Sequence, residues 1–357
     1  MVKSVYVHIP FCKNICSYCD FCKFFYKKEW INKYLDSLEK EIKENYKNEL
    51  IDNIYIGGGT PSSLNIDELE KLFSIINLIN LNKKYEFTIE FNIEDIDTKK
   101  LELCKKNKVN RISVGVESFD KNNLEFLGRR TDINIEDKIK LTKKYFSNIN
   151  IDLIYALPNQ SIKNLEQDLN KYLKLDIPHI SCYSLILEEH TKLHNQGIKP
   201  ISDELDLEMY NLINKKLKDY DHYEISNYSK KGYESRLNLT YWNNEEYYGF
   251  GVGASGYLNN IRYTNSKNII DYMNGLFKRK EEIVSKDDLI SYELILGFRK
   301  IKGININEFK KKYNIDIMNL YNIKELVDKD LLKINNDYIY INSNYLYMSN
   351  EILVNFI

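Results

Sequence analysis

The chain has 357 residues, 43% hydrophobic and 29% charged, the composition of an ordinary folded protein with room for one or two domains. Lys plus Arg is 51 against 52 Asp plus Glu, a formal net charge of -1, so charge gives no case for nucleic-acid binding. No run approaches the roughly 20 apolar residues of a membrane span, and no transmembrane segment is expected. A strand-like segment begins almost at once, which argues against a leader peptide and makes cytoplasmic localisation the expectation.

The first half alternates strand and helix patterns. Strands are expected at Val5 to Ile9, Asn53 to Ile56, Tyr85 to Phe91, Arg111 to Val116, Ile149 to Tyr155 and Ile180 to Leu187. Between them Ile31, Leu35, Leu38 and Ile42 keep the 3.6-residue period, as do Ile162, Leu165, Leu169 and Leu173. Such alternation implies βαβ units and a parallel sheet. Six units are too few for an eight-fold barrel, so an open, partial barrel is expected, with reactive residues at the C-terminal ends of its strands.

Four of the six cysteines lie between positions 12 and 22. Such clustering favours metal ligation over disulfides in a reducing compartment. Cys12, Cys16 and Cys19 are spaced by three residues and then two. Three thiolates on one loop can cap three corners of a [4Fe-4S] cluster, leaving the fourth iron open to chelate S-adenosylmethionine (SAM). Two other readings stay open here: a four-Cys zinc site that includes Cys22, and a closed four-Cys electron-transfer cluster. Cys104 and Cys182 read as packed thiols.

After the second strand comes Gly57-Gly58-Gly59-Thr60-Pro61, a loop whose backbone can approach a ligand without a Cβ in the way. The third strand alternates strictly, with Glu86, Thr88, Glu90 and Asn92 on one face. In a parallel strand covered on both sides that polar face points into the barrel. A carboxylate there needs a partner, and a cationic ligand would serve. Glu117 ends the fourth strand, Arg129 ends the next short helix, and Asp152 sits in an otherwise apolar strand. Together they could line a pocket for the ribose, carboxylate and sulfonium of SAM.

Beyond residue 200 the pattern changes. A helix carrying Leu205, Met209, Leu212 and Ile213 precedes the run from His222 to Tyr228. A Tyr- and Gly-rich stretch follows from Tyr241 to Tyr263, then helices and a terminal hairpin of Tyr338 to Ile341 with Tyr345 to Met348. The expected organisation is a barrel over 1–200, a segment completing its core over 201–264, and a small α+β, winged-helix-like accessory domain over 265–357.

These features converge on a known family. The segments Tyr6-Val7-His8-Ile9-Pro10-Phe11-Cys12, Gly57 to Pro61, Val114 to Phe119, Asp152 to Pro158, Tyr223 to Asn227, Asn238 to Trp242 and Gly251 to Gly256 resemble those of the oxygen-independent coproporphyrinogen III oxidase-like radical SAM proteins. The Tyr-Glu-Ile-Ser-Asn and Tyr-Trp segments resemble the HemW-type haem chaperone branch of that family. The resemblance implies a partial (β/α)6 barrel with a C-terminal accessory domain. It implies a [4Fe-4S] cluster on Cys12, Cys16 and Cys19, and a SAM pocket that includes Tyr6, Tyr18, Gly58, Gly59, Thr60, Glu90, Glu117, Arg129 and Asp152. Haem or a porphyrin, an electron donor and a haem-accepting protein are the partners it implies. The alternatives are decarboxylation of coproporphyrinogen III and a related radical SAM methyl transfer.

Four positions depart from the family pattern. Glu117 stands where Gln is usual, Ile93 where Pro is common, and Ser255 where His is common. Leu237 stands where His normally precedes the Asn of Asn238-Leu239-Thr240-Tyr241-Trp242, and leucine cannot ligate iron. The five histidines present (His8, His179, His190, His194 and His222) read as packing or surface residues.

Overall fold

The computed structural model describes residues 2–277, 279–320 and 322–357. All six expected strands form: β1 (Ser4–Ile9), β2 (Ile51–Gly58), β3 (Leu81–Asn92), β4 (Arg111–Glu117), β5 (Asn148–Tyr155) and β6 (His179–Ser184). Each pairs in parallel with the next, from β1 with β2 through β5 with β6. Helices fill the connections as a parallel sheet requires: Lys28–Asn45 after β1, Ile66–Ile76 after β2, Thr98–Lys106 after β3 and Ile162–Leu175 after β5. Ile31, Leu35, Leu38 and Ile42 are buried in the first of these, as their spacing requires.

The sheet extends past the six strands on both sides. Beyond β6 come β8 (Asn227–Ser229) and β7 (Asp221–Glu224), both antiparallel. Beyond β1 come β9 (Tyr247–Phe250), parallel to it, and then β10 (Ser255–Leu258), β11 (Ile261–Asn265) and β12 (Arg279–Ile283) as an antiparallel meander. The Tyr- and Gly-rich stretch is thus sheet. Twelve strands run in the order β12-β11-β10-β9-β1-β2-β3-β4-β5-β6-β8-β7. The main apolar core lies between the six parallel strands and their helices.

A second apolar core is built from Ile290, Leu294, Phe298, Phe309, Ile339, Phe356 and their neighbours. Around it lie the helices Lys286–Gly297, Ile306–Tyr313 and Ile323–Asp328 and a three-stranded sheet, an α+β unit as expected. The terminal hairpin is a correction. Tyr338–Ile341 pairs with Leu332–Asn335, not with Tyr345 to Met348. The two-residue turn Asn336-Asp337 has Asn336 at φ 51°, the left-handed conformation that a tight hairpin turn demands and Asn tolerates. Ser343–Tyr345 instead coils into a 3-10 turn, capped by the Asn342 side chain accepting from the Asn344 N–H.

Candidate cluster and cofactor site at the barrel rim

Directly after β1 the chain enters the cysteine loop. Phe11–Cys12 pairs with Phe24–Phe25, so the loop closes on itself and holds Cys12, Cys16 and Cys19 between two short strands. All six cysteines are free thiols. Cys12 feels the charge of both Cys16 and Cys19, and burial first of all pushes its thiol up to about 11. Burial raises the Cys19 thiol as well, and a metal centre that binds thiolates would take the place of the protons these groups hold. Cys22 takes no part in that group. A Cβ on Gly253 would lie 2.8 Å from its sulfur, and the charges it senses are Lys267 and Lys23. It faces the β9–β10 connection. Among the described residues no three His, Cys, Asp or Glu side chains converge on a single metal ion.

The glycine loop at the end of β2 lies against this loop. Gly59 donates its N–H to the Ile9 carbonyl at 2.9 Å, and a Cβ there would sit 2.9 Å from Cys12 Sγ and 2.7 Å from the Pro10 carbonyl oxygen. Only glycine permits that approach. Gly58 has φ 121°, a region L side chains avoid. Thr60 Oγ1 stands 3.5 Å from Cys12 Sγ. The rim thus packs against the cysteine loop on one side and against Glu90 and His8 on the other.

Inside the barrel the polar face of β3 points inward as its alternation predicts. Glu90 Oε1 accepts from Tyr55 Oη at 2.7 Å and Oε2 from the Gly58 N–H at 3.0 Å. Burial pushes Glu90 up to about 7, helped by the nearby Asp152. Asp152 accepts from Asn150 Nδ2 at 2.8 Å and from Ser113 Oγ at 3.4 Å, and burial raises it as well. Tyr6 donates to His8 Nδ1 at 2.9 Å, and His8 Nε2 donates to the Cys22 carbonyl at 2.7 Å. Burial holds His8 neutral, down at about 4.

Arg129 is the hub of the rim. Nη1 donates to Asn92 Oδ1 at 2.8 Å and lies 3.4 Å from Cys16 Sγ. Nη2 donates to the Gly115 carbonyl at 2.6 Å and pairs with Glu117 Oε1 at 3.2 Å. Burial still pushes Glu117 up to about 7 against that guanidinium, and Tyr18 donates to the carboxylate from the cysteine loop. Glu117 sits at φ 66° beside a shift in the β4–β5 register, a strained position for a residue with a Cβ. Its side chain is thereby aimed at Arg129 and Tyr18.

The expected residues divide cleanly. Cys12, Cys16, Cys19, Tyr18, Gly58, Gly59, Thr60, Glu117 and Arg129 meet at the rim, while Tyr6, Glu90 and Asp152 line the chamber below. Sequence reasoning put Asn92 on the inward polar face without giving it a role, and missed Tyr55, Lys13 and Asp95. Lys13 Nζ meets the buried Asp95 at 2.6 Å and so ties the cysteine loop to the turn after β3. The alternation of β2 and β3 was a signal for Tyr55 and Asn92, but nothing local announces Lys13 with Asp95.

Of the family departures, Glu117 lies at the rim, while Leu237 and Ser255 lie elsewhere. Leu237 is 3% exposed in the helix Arg236–Trp242, which closes the opposite end of the barrel. Arg236 N donates to Glu86 Oε1 at 3.0 Å, and Thr240 Oγ1 meets Ser4 Oγ at 2.7 Å. Tyr241, one turn after Leu237 and on the same helix face, senses Tyr6 and Glu90. Leu237 is therefore part of the barrel floor. Ser255 is exposed and bonds Thr264 across β10–β11 at 2.9 Å. His190 and His194 are exposed, whereas His8 and His179 are buried.

A parallel partial barrel with three thiols and a glycine rim at its C-terminal mouth defines a radical SAM protein. The sequence model of the radical SAM superfamily matches residues 6–172, and that of the HemN C-terminal domain matches residues 284–344. The heme chaperone HemW of Lactococcus lactis subsp. lactis (strain IL1403) is 41% identical, covering 92% of this chain and 90% of its own. That of Bacillus subtilis (strain 168) is 36% identical, covering 100% and 99%. The chain belongs to the heme chaperone HemW family. Coproporphyrinogen III oxidase (HemN) from Escherichia coli shares the fold, with a TM-score of 0.86 over 99% of this chain and 90% of that one at 20% identity. The radical SAM family implies a [4Fe-4S] cluster and SAM. No helix among the described residues is long and apolar enough to cross a membrane.

Proposed function

We propose that this chain holds a [4Fe-4S] cluster on Cys12, Cys16 and Cys19, binds SAM at the barrel rim, and binds haem for transfer to an acceptor protein. The observation that carries the reading is the junction of three mutually close thiols, the glycine rim and a chamber of raised carboxylates in one barrel mouth. When bound, the cluster supplies one-electron chemistry at the sulfonium of SAM. Gly58, Gly59 and Thr60 offer backbone and hydroxyl groups to the amino-acid end of SAM. Arg129 offers its guanidinium to the carboxylate. Glu90 and Asp152 favour a cation in the chamber, since a positive ligand restores the charge that burial withholds from them. Tyr6 and Tyr18 flank the cofactor. The cytoplasm is the compartment proposed, and an electron donor and a haem-accepting protein are the partners.

Anaerobic reconstitution with iron and sulfide tests the first half. The expected result is about four irons per chain and an electron paramagnetic resonance signal of the reduced cluster that shifts on adding SAM. A signal indifferent to SAM would count against the open site. Haem titration tests the second half, with a saturable absorbance change expected. Leu237 supports a second reading, SAM-dependent decarboxylation of coproporphyrinogen III, because it removes the family's iron-binding side chain. Anaerobic turnover of coproporphyrinogen III beside an active control distinguishes the two. Haem binding that appears only in Leu237→His would mean that this chain has lost the ligand its relatives keep.

A further inference from the structure

The cysteine loop has an outer face as well as an inner one. Phe21 and Phe25 on it are 63% and 59% exposed. Single exposed apolar residues are ordinary, but these two bracket Cys22 within the loop that carries the cluster thiols. Phe25 is the direct strand partner of Cys12, one inter-strand spacing of about 4.8 Å away. Residues 13 to 28 hold four lysines (Lys13, Lys23, Lys27 and Lys28) against a single acid, Asp20. The whole chain is balanced at -1, so this is a local concentration. Lys13 is paired with the buried Asp95 at 2.6 Å, which largely cancels its charge and leaves Lys23, Lys27 and Lys28 as the cations of this segment. Lys23 Nζ donates to the Cys19 carbonyl at 2.6 Å and to the Phe21 carbonyl at 3.3 Å, and Lys267 approaches Cys22 from the other side.

We propose that this lysine-ringed pair of phenylalanines is the docking surface for a small acidic protein carrying a one-electron centre, the donor that reduces the cluster. The proposal rests on reading Cys12, Cys16 and Cys19 as cluster ligands. Weak electron-transfer encounters bury little area and depend on electrostatic steering, which suits a compact apolar spot in a basic ring. Electron tunnelling falls steeply with distance, and the exposed Phe25 stands directly beside Cys12 as its strand partner. In the step, one electron leaves the carrier, oxidising it by one equivalent, and enters the cluster, reducing it by one. No bond or proton is transferred.

The test uses reconstituted protein and photochemically reduced flavodoxin as the probe, with titanium(III) citrate as a small reductant. Cluster bleaching is followed by stopped-flow absorbance. Two double variants serve: Lys27→Glu with Lys28→Glu, and Phe21→Ser with Phe25→Ser. Lys28 is the first residue of its helix, where an acid is favourable to the macrodipole, so the charge reversal does not threaten folding. Iron content, measured first, reports separately on the cluster reading. The expected result is reduction by flavodoxin slowed about tenfold or more in both variants at low salt, the charge effect fading at high salt, and unchanged reduction by titanium(III) citrate. Equal flavodoxin rates in parent and variants would overturn the proposal. So would a cluster-loaded parent that flavodoxin fails to reduce. A third overturning result is binding to phosphatidylglycerol vesicles that the phenylalanine variant abolishes while its flavodoxin rate is unchanged.

Discussion

The two ends of the barrel use similar residues to opposite effect. At the floor, polar groups from distant segments bond one another. Asn53 Nδ2 donates to Ser4 Oγ at 2.6 Å, Ser4 meets Thr240, and the backbone of Arg236 reaches Glu86. Beside them His179 bridges Asn150 at 2.6 Å and Tyr223 at 2.9 Å. At the rim Glu117, and in the chamber below it Glu90, are pushed up to about 7, and burial also raises the Cys12 and Cys19 thiols. A floor of side chains bonded across distant segments fixes the barrel's shape, although Asn53 Oδ1 is left without a partner. The rim, with its buried acids and thiols, holds chemistry in reserve for a ligand. The same polar alternation along β3 serves both, with Glu86 at one end and Glu90 at the other.

The strongest way to break this contrast is at the thiols. Cys12→Ser, Cys16→Ser and Cys19→Ser should each cut cluster content about tenfold or more, while Cys22→Ser keeps it; iron and sulfide analysis after reconstitution checks both. Next is the hub. Arg129→Met leaves Glu117 buried without its cation and should cost about 3–5 kcal/mol in chemical denaturation. Asn53→Ala at the floor should cost about 1–3 kcal/mol and leave SAM affinity unchanged, which equilibrium dialysis on reconstituted protein would reveal. A large loss of SAM affinity in that variant would break the division between the ends.

The smallest effect is a pH dependence. Glu90 ionises less readily folded than unfolded, so its penalty is absent below pH 4.5, the ordinary value, and grows to full size as pH rises to about 7. Glu90→Gln should therefore raise the melting temperature of SAM-free protein at pH 8 and leave it nearly unchanged at pH 4. Equal shifts at both pH values would place the carboxylate in an ordinary solvated setting.

Much of the rim was readable because its signals are local. Cysteine spacing, a glycine run after a strand and strict alternation each lie within a dozen residues. Register, which joins distant segments, was not. Ser4 finds Thr240 across 236 positions, and no periodicity reports that. β9 was hidden because Tyr and Gly next to one another carry no alternation. The last hairpin was shifted because two Asn-containing turns compete, at Asn336 and Asn342, and the choice rests on which one adopts the left-handed conformation. Cys22 shows the same limit: its spacing matches a ligand, and only the approach of Gly253 reveals which way it faces.

β1 lies between β2 and β9, and this has a consequence for the order of synthesis. The first strand made acquires its second neighbour only when Tyr247–Phe250 has left the ribosome. Until then one edge of β1 is bare, and the cysteine loop that follows it lacks Gly253, the residue that packs on Cys22. For more than two hundred residues of elongation the loop is built yet uncovered on that flank.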